Sequence, residues 1–372
     1  MIKILFMIPS ITGGGAEKVL RNLVNNMDQD SFDITIQTVE EEKNVDKYLA
    51  QGIHYRALNH CKTRLGKILF SYWFRLLAEL KLVYPVYIKG DYDIEVAYLE
   101  CDATKVMSAS TNKKALKIAW VHCDLTKKEG FLKKVSKSKK YYQAFDQVVC
   151  VSEDVRKAYV KLFGTKPESV VLYNVIDEDE IFHKSEEALP IEQDNSVKNL
   201  LAVGRLSREK GYDQLIEACA KLKSDGYHFQ LRILGEGPER EKLEGLIQRF
   251  QLEHIVELVG FVENPYPYMK VADCIVCSSR YEGLSTVVIE GLILGKIIVT
   301  TPCSGMKELL GKSEYGIIAE DGENGLYNSL KKIMDSKEIE VQYASAARKR
   351  GEDFKKSSII QKTEEFLIDN LE

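Results

Sequence analysis

The feature that most constrains this chain is a rhythm that occurs twice. Short runs rich in Ile, Val and Leu alternate with segments whose apolar positions recur every three or four residues. The first set holds the strand candidates IKILFMI (2–8), DITIQTV (33–39), IEVAYL (94–99), LKIAWV (116–121), QVVCV (147–151) and SVVLY (169–173). A helical pattern at Val19, Leu20, Leu23, Val24 and Met27 follows the first of them. Residues 174–198 interrupt the rhythm with an acidic, polar run that reads as a linker. It resumes with NLLAVGRL (199–206), FQLRILG (229–235), IVELVG (255–260), DCIVCS (273–278) and KIIVTT (296–301), with helices expected near 211–224, 238–251 and 285–294. Alternation of this kind predicts an α/β chain, with two doubly wound, Rossmann-like parallel sheets facing across a cleft. The expected boundaries are 1–176 for the first domain, 177–198 for the linker and 199–351 for the second domain. A closing amphipathic helix is expected over 352–372, with Phe354, Ile359, Ile360, Phe366 and Leu367 on its apolar side.

Composition narrows the class. A chain of 372 residues, 45% hydrophobic and 29% charged, suits folded domains and not disorder. Charged residues break every apolar run before it reaches the length of a membrane span. The first residues resemble a weak signal peptide, but a strand and glycine turn fit them better, so the expectation is an uncleaved cytoplasmic protein. The eight cysteines are scattered, and Cys274 and Cys277, the one CxxC, lie in an apolar strand candidate, which favours burial over metal binding. The net charge of −4 conceals an asymmetry: residues 1–170 carry 27 Lys and Arg against 20 Asp and Glu, and the remainder is acidic. Seven lysines and one acid fall between Lys127 and Lys140. That segment is either a solvated face or a contact with an anionic membrane surface or phosphate-bearing acceptor; nucleic acid is disfavoured because no binding motif accompanies it.

The loops after the strands carry the chemistry. Gly13, Gly14 and Gly15 follow the first strand and precede a helix, so their backbone could approach a phosphate, or they could form only a tight turn. The dinucleotide pattern is incomplete, with Lys18 at its third glycine position, although Glu40 ends the second strand. In VGRLSREKG, Arg205 and Lys210 sit beyond a strand end, where two cations suit a diphosphate. Gly235 opens a further loop, GEGP, expected near a nucleotide. The backbone at Phe261 and Val262, beyond the next strand, could read a base edge. The stretch SSRYEGLSTVVIEGLILGK holds two acids, Glu282 and Glu290, in an otherwise apolar run. Glu282 precedes a helix start formed by Gly283, Leu284, Ser285 and Thr286, and Glu290 lies in its second turn. Unsatisfied N–H groups at Leu284, Ser285 and Thr286 suit a phosphate. Each carboxylate can accept two hydroxyl hydrogen bonds, as a sugar or ribose diol would offer.

Together the E-x7-E pair, VGRLSREKG, GEGP, GFVEN and the N-terminal GGGAEK resemble the retaining glycosyltransferases of family 4, of the bacterial surface-polysaccharide type. The likeness covers most of the chain and is most specific over 199–311. It implies the GT-B fold, a C-terminal helix crossing back to the first domain, an acceptor-binding first domain and a nucleotide-sugar-binding second domain. It implies that Arg205 and Lys210 hold the donor diphosphate, that Glu282 contacts the donor sugar and Glu290 the ribose, and that the Gly13–Gly15 loop approaches the phosphates or the sugar. It implies the same for His122, in AWVHCD, beside the donor sugar; alone, such a histidine reads as structural. One departure is PCSGMKE, where Ser304 stands in place of the first of a glycine pair found in many relatives.

The activity so implied is transfer of a hexosyl group, with retention, from a nucleoside-diphosphate sugar (a UDP-hexose or UDP-N-acetylhexosamine) to a saccharide acceptor, expected to be lipid-linked, in surface-polysaccharide synthesis. No metal or other cofactor is expected: the DYD at 91–93 and DED at 177–179 read as surface or linker acids. The rivals are a sugar-nucleotide epimerase or glycan phosphorylase on the same fold, a nicotinamide oxidoreductase, which the incomplete glycine pattern disfavours, and a non-catalytic partner subunit. The segment 61–86 mixes aromatics, leucines and cations, and could pack on the core or rest on a membrane at the cytoplasmic face.

Overall fold

The computed structural model describes every residue except Glu129, Glu192, Gln193, Asn195 and Glu372, and of Lys134 the backbone alone. The chain divides into two units, Met1–Val175 with Ser357–Glu372, and Ile176–Lys356.

The first unit is built on a seven-stranded sheet: β1 (Ile2–Met7), β2 (Phe32–Glu40), β3 (His54–Asn59), β4 (Ile94–Ala97), β5 (Leu116–Val121), β6 (Gln147–Cys150) and β7 (Glu168–Val171), in the order β3-β2-β1-β4-β5-β6-β7. Every pairing is parallel. A parallel strand buried on both faces needs a continuous apolar run, and in β1 Ile4, Leu5, Phe6 and Met7 are fully buried. Helix α1 (Gly15–Asn26) follows β1 and turns Val19, Leu20, Leu23 and Val24 inward. Helix α2 (Arg64–Glu79) begins at Thr63, whose hydroxyl accepts the Gly66 N–H at 3.1 Å. The sequence pattern missed β3, whose HYRALN lacks an apolar run.

The second unit carries six parallel strands: β8 (Lys198–Val203), β9 (Phe229–Leu234), β10 (Val256–Gly260), β11 (Cys274–Cys277), β12 (Ile297–Thr300) and β13 (Ile317–Ile318), in the order β10-β9-β8-β11-β12-β13. Its core gathers Leu200, Leu231, Ile233 and Val299 from the sheet with Leu215 and Ile216 from the helix Tyr212–Ser224. Cys274 and Cys277 are free, buried thiols inside β11.

Two expectations need correction. The stretch 177–198 is not an unstructured linker, because Glu178–Ser185 is a helix within the second unit. Asp177 caps it by accepting the Glu180 N–H at 3.1 Å, and Lys356 pairs with Asp177 and Asp179, both at 2.8 Å. Glu192, Gln193 and Asn195 of that stretch lie outside the described residues. The closing segment 352–372 is not one helix either. A 3-10 turn over Glu352–Phe354 precedes the helix Lys356–Asp369. From Ser357 onward this helix belongs to the first unit, where Glu364 accepts the Asp28 N–H at 2.7 Å and Gln147 donates to Asn370 at 3.0 Å.

One glycine shows how closely the loops of the second sheet are stacked. Gly235 has φ +145°, and a Cβ there would lie 2.0 Å from the carbonyl oxygen of Gly204. Gly235→Ala is expected to destabilise the chain by about 2 kcal/mol or more. Gly245→Ala, in open space on an exposed turn of the helix Arg240–Arg249, should stabilise it by about 0.5–1 kcal/mol. Urea unfolding of the two variants beside the parent checks both signs.

Candidate active site

Each sheet reverses its strand order once, between β1 and β4 and between β8 and β11. Open parallel sheets offer their ligand sites at the carboxyl ends of the strands beside such a reversal.

In the second unit the loops after β8 and β11 meet there. Gly211 has φ +63°, and a Cβ on it would stand 2.2 Å from the Ser278 carbonyl oxygen, so the two backbones touch. Ser278 Oγ donates to the Lys210 carbonyl at 2.8 Å, and the Arg280 N–H donates to the Glu209 carbonyl at 2.7 Å. These contacts bring together side chains far apart in sequence. Lys210 Nζ lies 2.7 Å from Glu282 Oε1, and Ser279 Oγ donates to that same oxygen at 2.6 Å. The pair is largely shielded, with 24% and 14% of the two side chains exposed. Burial pulls the Lys210 ammonium toward neutrality, but the adjacent Glu282 carboxylate outweighs it and holds the pKa above the usual lysine value. Arg205, in the same loop, is exposed, and its guanidinium has no ion pair among the described residues.

The helix Thr286–Ile293 starts directly beyond Glu282, with Ser285 at its N-cap. Gly305 (φ +81°) presses on this entry, since a Cβ there would come within 2.6 Å of the Gly283 carbonyl oxygen. Leu284 and Ser285 are buried. Glu290 sits on the helix interior side, 4% exposed, and its Oε1 accepts the Tyr266 hydroxyl at 3.0 Å. Burial and then the neighbouring Glu290 carboxylate push the Tyr266 phenol far above its usual pKa, so it stays a donor. Phe261, directly after β10, leaves 73% of its surface uncovered, with Val262 half-buried beside it.

In the first unit, Gly13 (φ +99°) has nothing within 4 Å of where a Cβ would stand, Gly14 is the N-cap of α1, and Gly15 is its first residue. Glu42 fixes the approach to this loop by accepting the Ile11 N–H at 2.6 Å and the Thr12 hydroxyl. At the end of β5, Glu100 accepts the N–H of His122 and, at 3.0 Å, that of Cys123. The imidazole packs 4.8 Å from the Tyr98 ring, and its Nε2 is buried with no partner among the described residues. Burial lowers the His122 pKa to about 4, against the opposing pull of Glu100 and of a hydrogen bond to the Tyr98 backbone.

The structure thus assembles Arg205, Lys210, Glu282 and the Gly283–Thr286 entry around one sheet reversal, with Gly235 packed on the same loops. Gly13–Gly15 and His122 lie at strand ends of the first unit. Sequence reasoning missed Ser279, Tyr266, Glu42 and Glu100, which hold the named residues in place. The DxD-like acids have structural partners: Asp93 accepts the Lys3 N–H at 2.8 Å, and Asp177 is the helix cap described above. Among the described residues no cluster of three or more His, Cys, Asp or Glu could hold a metal ion.

Two family models match the chain in succession, Glycosyltransferase Family 4 over residues 13–180 and Glycosyl transferases group 1 over residues 184–350. The protein is therefore a member of the glycosyltransferases, with two parallel-sheet units of the GT-B type. It is 34% identical over 230 residues to the N-acetylgalactosamine-N,N'-diacetylbacillosaminyl-diphospho-undecaprenol 4-alpha-N-acetylgalactosaminyltransferase of Campylobacter jejuni. That match spans 61% of each of the two chains. The amylovoran biosynthesis glycosyltransferase AmsD of Erwinia amylovora is 23% identical over 99% of this chain and all of its own. Among solved structures, HepE of Anabaena, crystallised with UDP and glucose, superposes with a TM-score of 0.78 at 19% identity, covering 99% of this chain and 100% of that one.

Two outcomes follow from the geometry. Lys210→Met and Glu282→Gln should each destabilise the chain, and the double variant should recover part of the loss. A coupling of about 1 kcal/mol in urea unfolding is expected, since the pair is shielded but not fully buried. For His122 the folded pKa lies below the unfolded value of 6.5, so its stabilising contribution is fully present above pH 6.5 and is lost as the pH falls toward about 4. NMR of the imidazole protons should show no protonation midpoint near 6.5, and His122→Gln should flatten the acid limb of the stability curve.

Proposed function

We propose that the chain transfers a hexosyl or N-acetylhexosaminyl group from a UDP-sugar to a saccharide acceptor carried on a lipid diphosphate, with retention at the anomeric carbon, at the inner face of the plasma membrane. The observation that carries this reading is the Lys210–Glu282 pair at the reversal of the second sheet. An ammonium and a carboxylate in one shielded pocket suit a substrate carrying a phosphate on one side and hydroxyls on the other. Support also comes from the Campylobacter relative, named for transfer to a diphospho-undecaprenol-linked sugar, and from the Anabaena structure, which holds UDP and glucose.

In this reading Arg205 and Lys210 hold the diphosphate, with the helix entry at Gly283, Leu284, Ser285 and Thr286 on its other side. Glu282 turns from Lys210 toward the sugar hydroxyls. Glu290, oriented by Tyr266, takes the ribose. The exposed Phe261 ring and the backbone at Val262 receive the base, with the Gly235 loop beside it. Gly13, Gly14 and Gly15 bring backbone to the phosphates or sugar, and the unpartnered Nε2 of neutral His122 accepts a sugar hydroxyl. The bond from the anomeric carbon to the leaving phosphate breaks, and the acceptor oxygen bonds to that carbon on the same face. The acceptor proton passes to the departing phosphate oxygen. Negative charge grows on that phosphate, so Arg205 and Lys210 act mainly in the transition state, each worth about 3 kcal/mol, roughly a hundredfold in rate. No step in this scheme calls for a metal ion.

The test is turnover of purified protein with UDP-hexoses and UDP-N-acetylhexosamines and a synthetic lipid-diphosphate saccharide. Release of UDP and a product with the donor's anomeric configuration are expected. Arg205→Ala or Lys210→Ala should lower kcat at least about a hundredfold with the fold intact, and Glu290→Gln should act chiefly on the donor KM. An altered free nucleotide-sugar, consumption of phosphate or an inverted product would sink the proposal.

A further inference from the structure

Helix α2 carries two apolar faces, and only one is used. Its inner side packs Phe74, Leu77 and Ala78 into the first unit, with the Phe70 ring 6.0 Å from Phe74 and 6.1 Å from Tyr87. Its outer side shows Leu65, Leu69, Tyr72, Trp73, Leu76 and Leu80, each more than half exposed. At about 100° per residue these six share one stripe, with Arg64 and Arg75 along one edge. A soluble chain rarely leaves so long a run of large apolar side chains uncovered on one helix. Folding does not account for it, because the inner face already anchors the helix.

The charges around the stripe name its partner. Residues 61–89 hold six Lys and Arg and one acid, Glu79. Both Glu79 oxygens are occupied, by Lys105 and Lys137, each at 2.5 Å. Lys137 belongs to the lysine-rich stretch 127–140, so its ion pair with Glu79 joins that stretch to the C-terminal end of α2. Lys127, Lys133, Lys139 and Lys140 are exposed along the stretch; Glu129 lies outside the described residues. A second copy of the chain docked about a twofold axis would set these cations against themselves. No described helix is long and apolar enough to cross a membrane. We infer that the outer face of α2, with the exposed lysines of 127–140, is a docking surface for an anionic phospholipid bilayer, in which Leu69, Trp73 and Leu76 enter the headgroup boundary and the cations meet lipid phosphates. This deepens the proposed function by naming the surface that would meet the membrane, yet it rests on the first unit alone and holds whichever sugar is moved.

The two tryptophans make it measurable, since Trp73 is on the stripe and Trp120 is 2% exposed in β5. Mixed phosphatidylglycerol–phosphatidylcholine vesicles should shift the emission of the full chain to the blue at low salt, and salt should reverse the shift. Leu69→Glu with Leu76→Glu, which keeps Trp73, should weaken binding at least about tenfold. Lys133→Glu with Lys140→Glu should weaken it and reduce its salt dependence. All three proteins should melt alike and bind UDP alike, which separates this inference from failure of the catalytic reading. No shift at low salt, equal binding to neutral vesicles, or binding that ignores the Leu69/Leu76 change would overturn it. So would a dimer broken by that change in a chain that never binds vesicles.

Discussion

The pairing of β8 with β11 is the constraint from which the rest of the second unit follows. Every strand between them in sequence lies on the far side of β8, so two loops separated by some seventy residues of chain emerge side by side. Glycine lets them approach until backbone touches backbone, at Gly211 against Ser278. Only then can Lys210 reach Glu282. Burial at that place disfavours the Lys210 ammonium, and the carboxylate beside it outweighs that and keeps the lysine charged. In the function proposed above, a phosphate entering the site would replace Glu282 as the partner of Lys210 without leaving an uncompensated cation, and the freed carboxylate would turn to the hydroxyls that accompany it.

The first unit solves a different problem at its own strand ends. Glu100 is 5% exposed, and its carboxylate is bound by the N–H groups that follow β5. That contact fixes the backbone of His122, while Tyr98 and Trp120 hem in the ring. The outcome is a histidine kept neutral by burial, with one nitrogen unsatisfied. An unmade hydrogen bond at a buried nitrogen costs about 1–3 kcal/mol, so a polar group of a ligand would meet a site already prepared for it. The Glu42 carboxylate plays a comparable part for the glycine loop, tying down the residues before Gly13 while Gly13 itself stays uncrowded.

The sheets and the candidate loops at their strand ends were legible because they are written in local pattern. Apolar runs bounded by glycine marked most of the strands, and the eight-residue interval between Glu282 and Glu290 survives folding as one acid before a helix and one inside it. What failed to show was tertiary. Ser279 lies three residues from Glu282, but its role depends on how the loop closes. Tyr266 meets Glu290 across 24 residues of chain, and nothing in YPYMKV distinguishes its hydroxyl from those of its neighbours. Glu42 follows two other glutamates, of which Glu40 pairs with Lys67 at 2.6 Å, so the sequence could not say which acid turns inward. The polar stretch after residue 176 read as a linker because its helix is capped and held by charges instead of by an apolar stripe.

Helix α2 is the place where pattern and fold disagree in a useful way. Its sequence supports either a core helix or a surface one, because leucines and aromatics fall on every side. The fold decides which residues are core, and in doing so leaves the others without a reason that lies inside the molecule. Thr63 caps the helix, Phe74 and Leu77 anchor it, and Glu79 ties its end to Lys105 and Lys137, so it is held rigidly with its second apolar face outward. A stripe already fixed on a packed helix has little freedom left to lose when it meets a surface, and that is the condition under which modest apolar burial becomes binding. The docking inferred for α2 would hold the first unit at the bilayer, where the proposed lipid-carried acceptor lies.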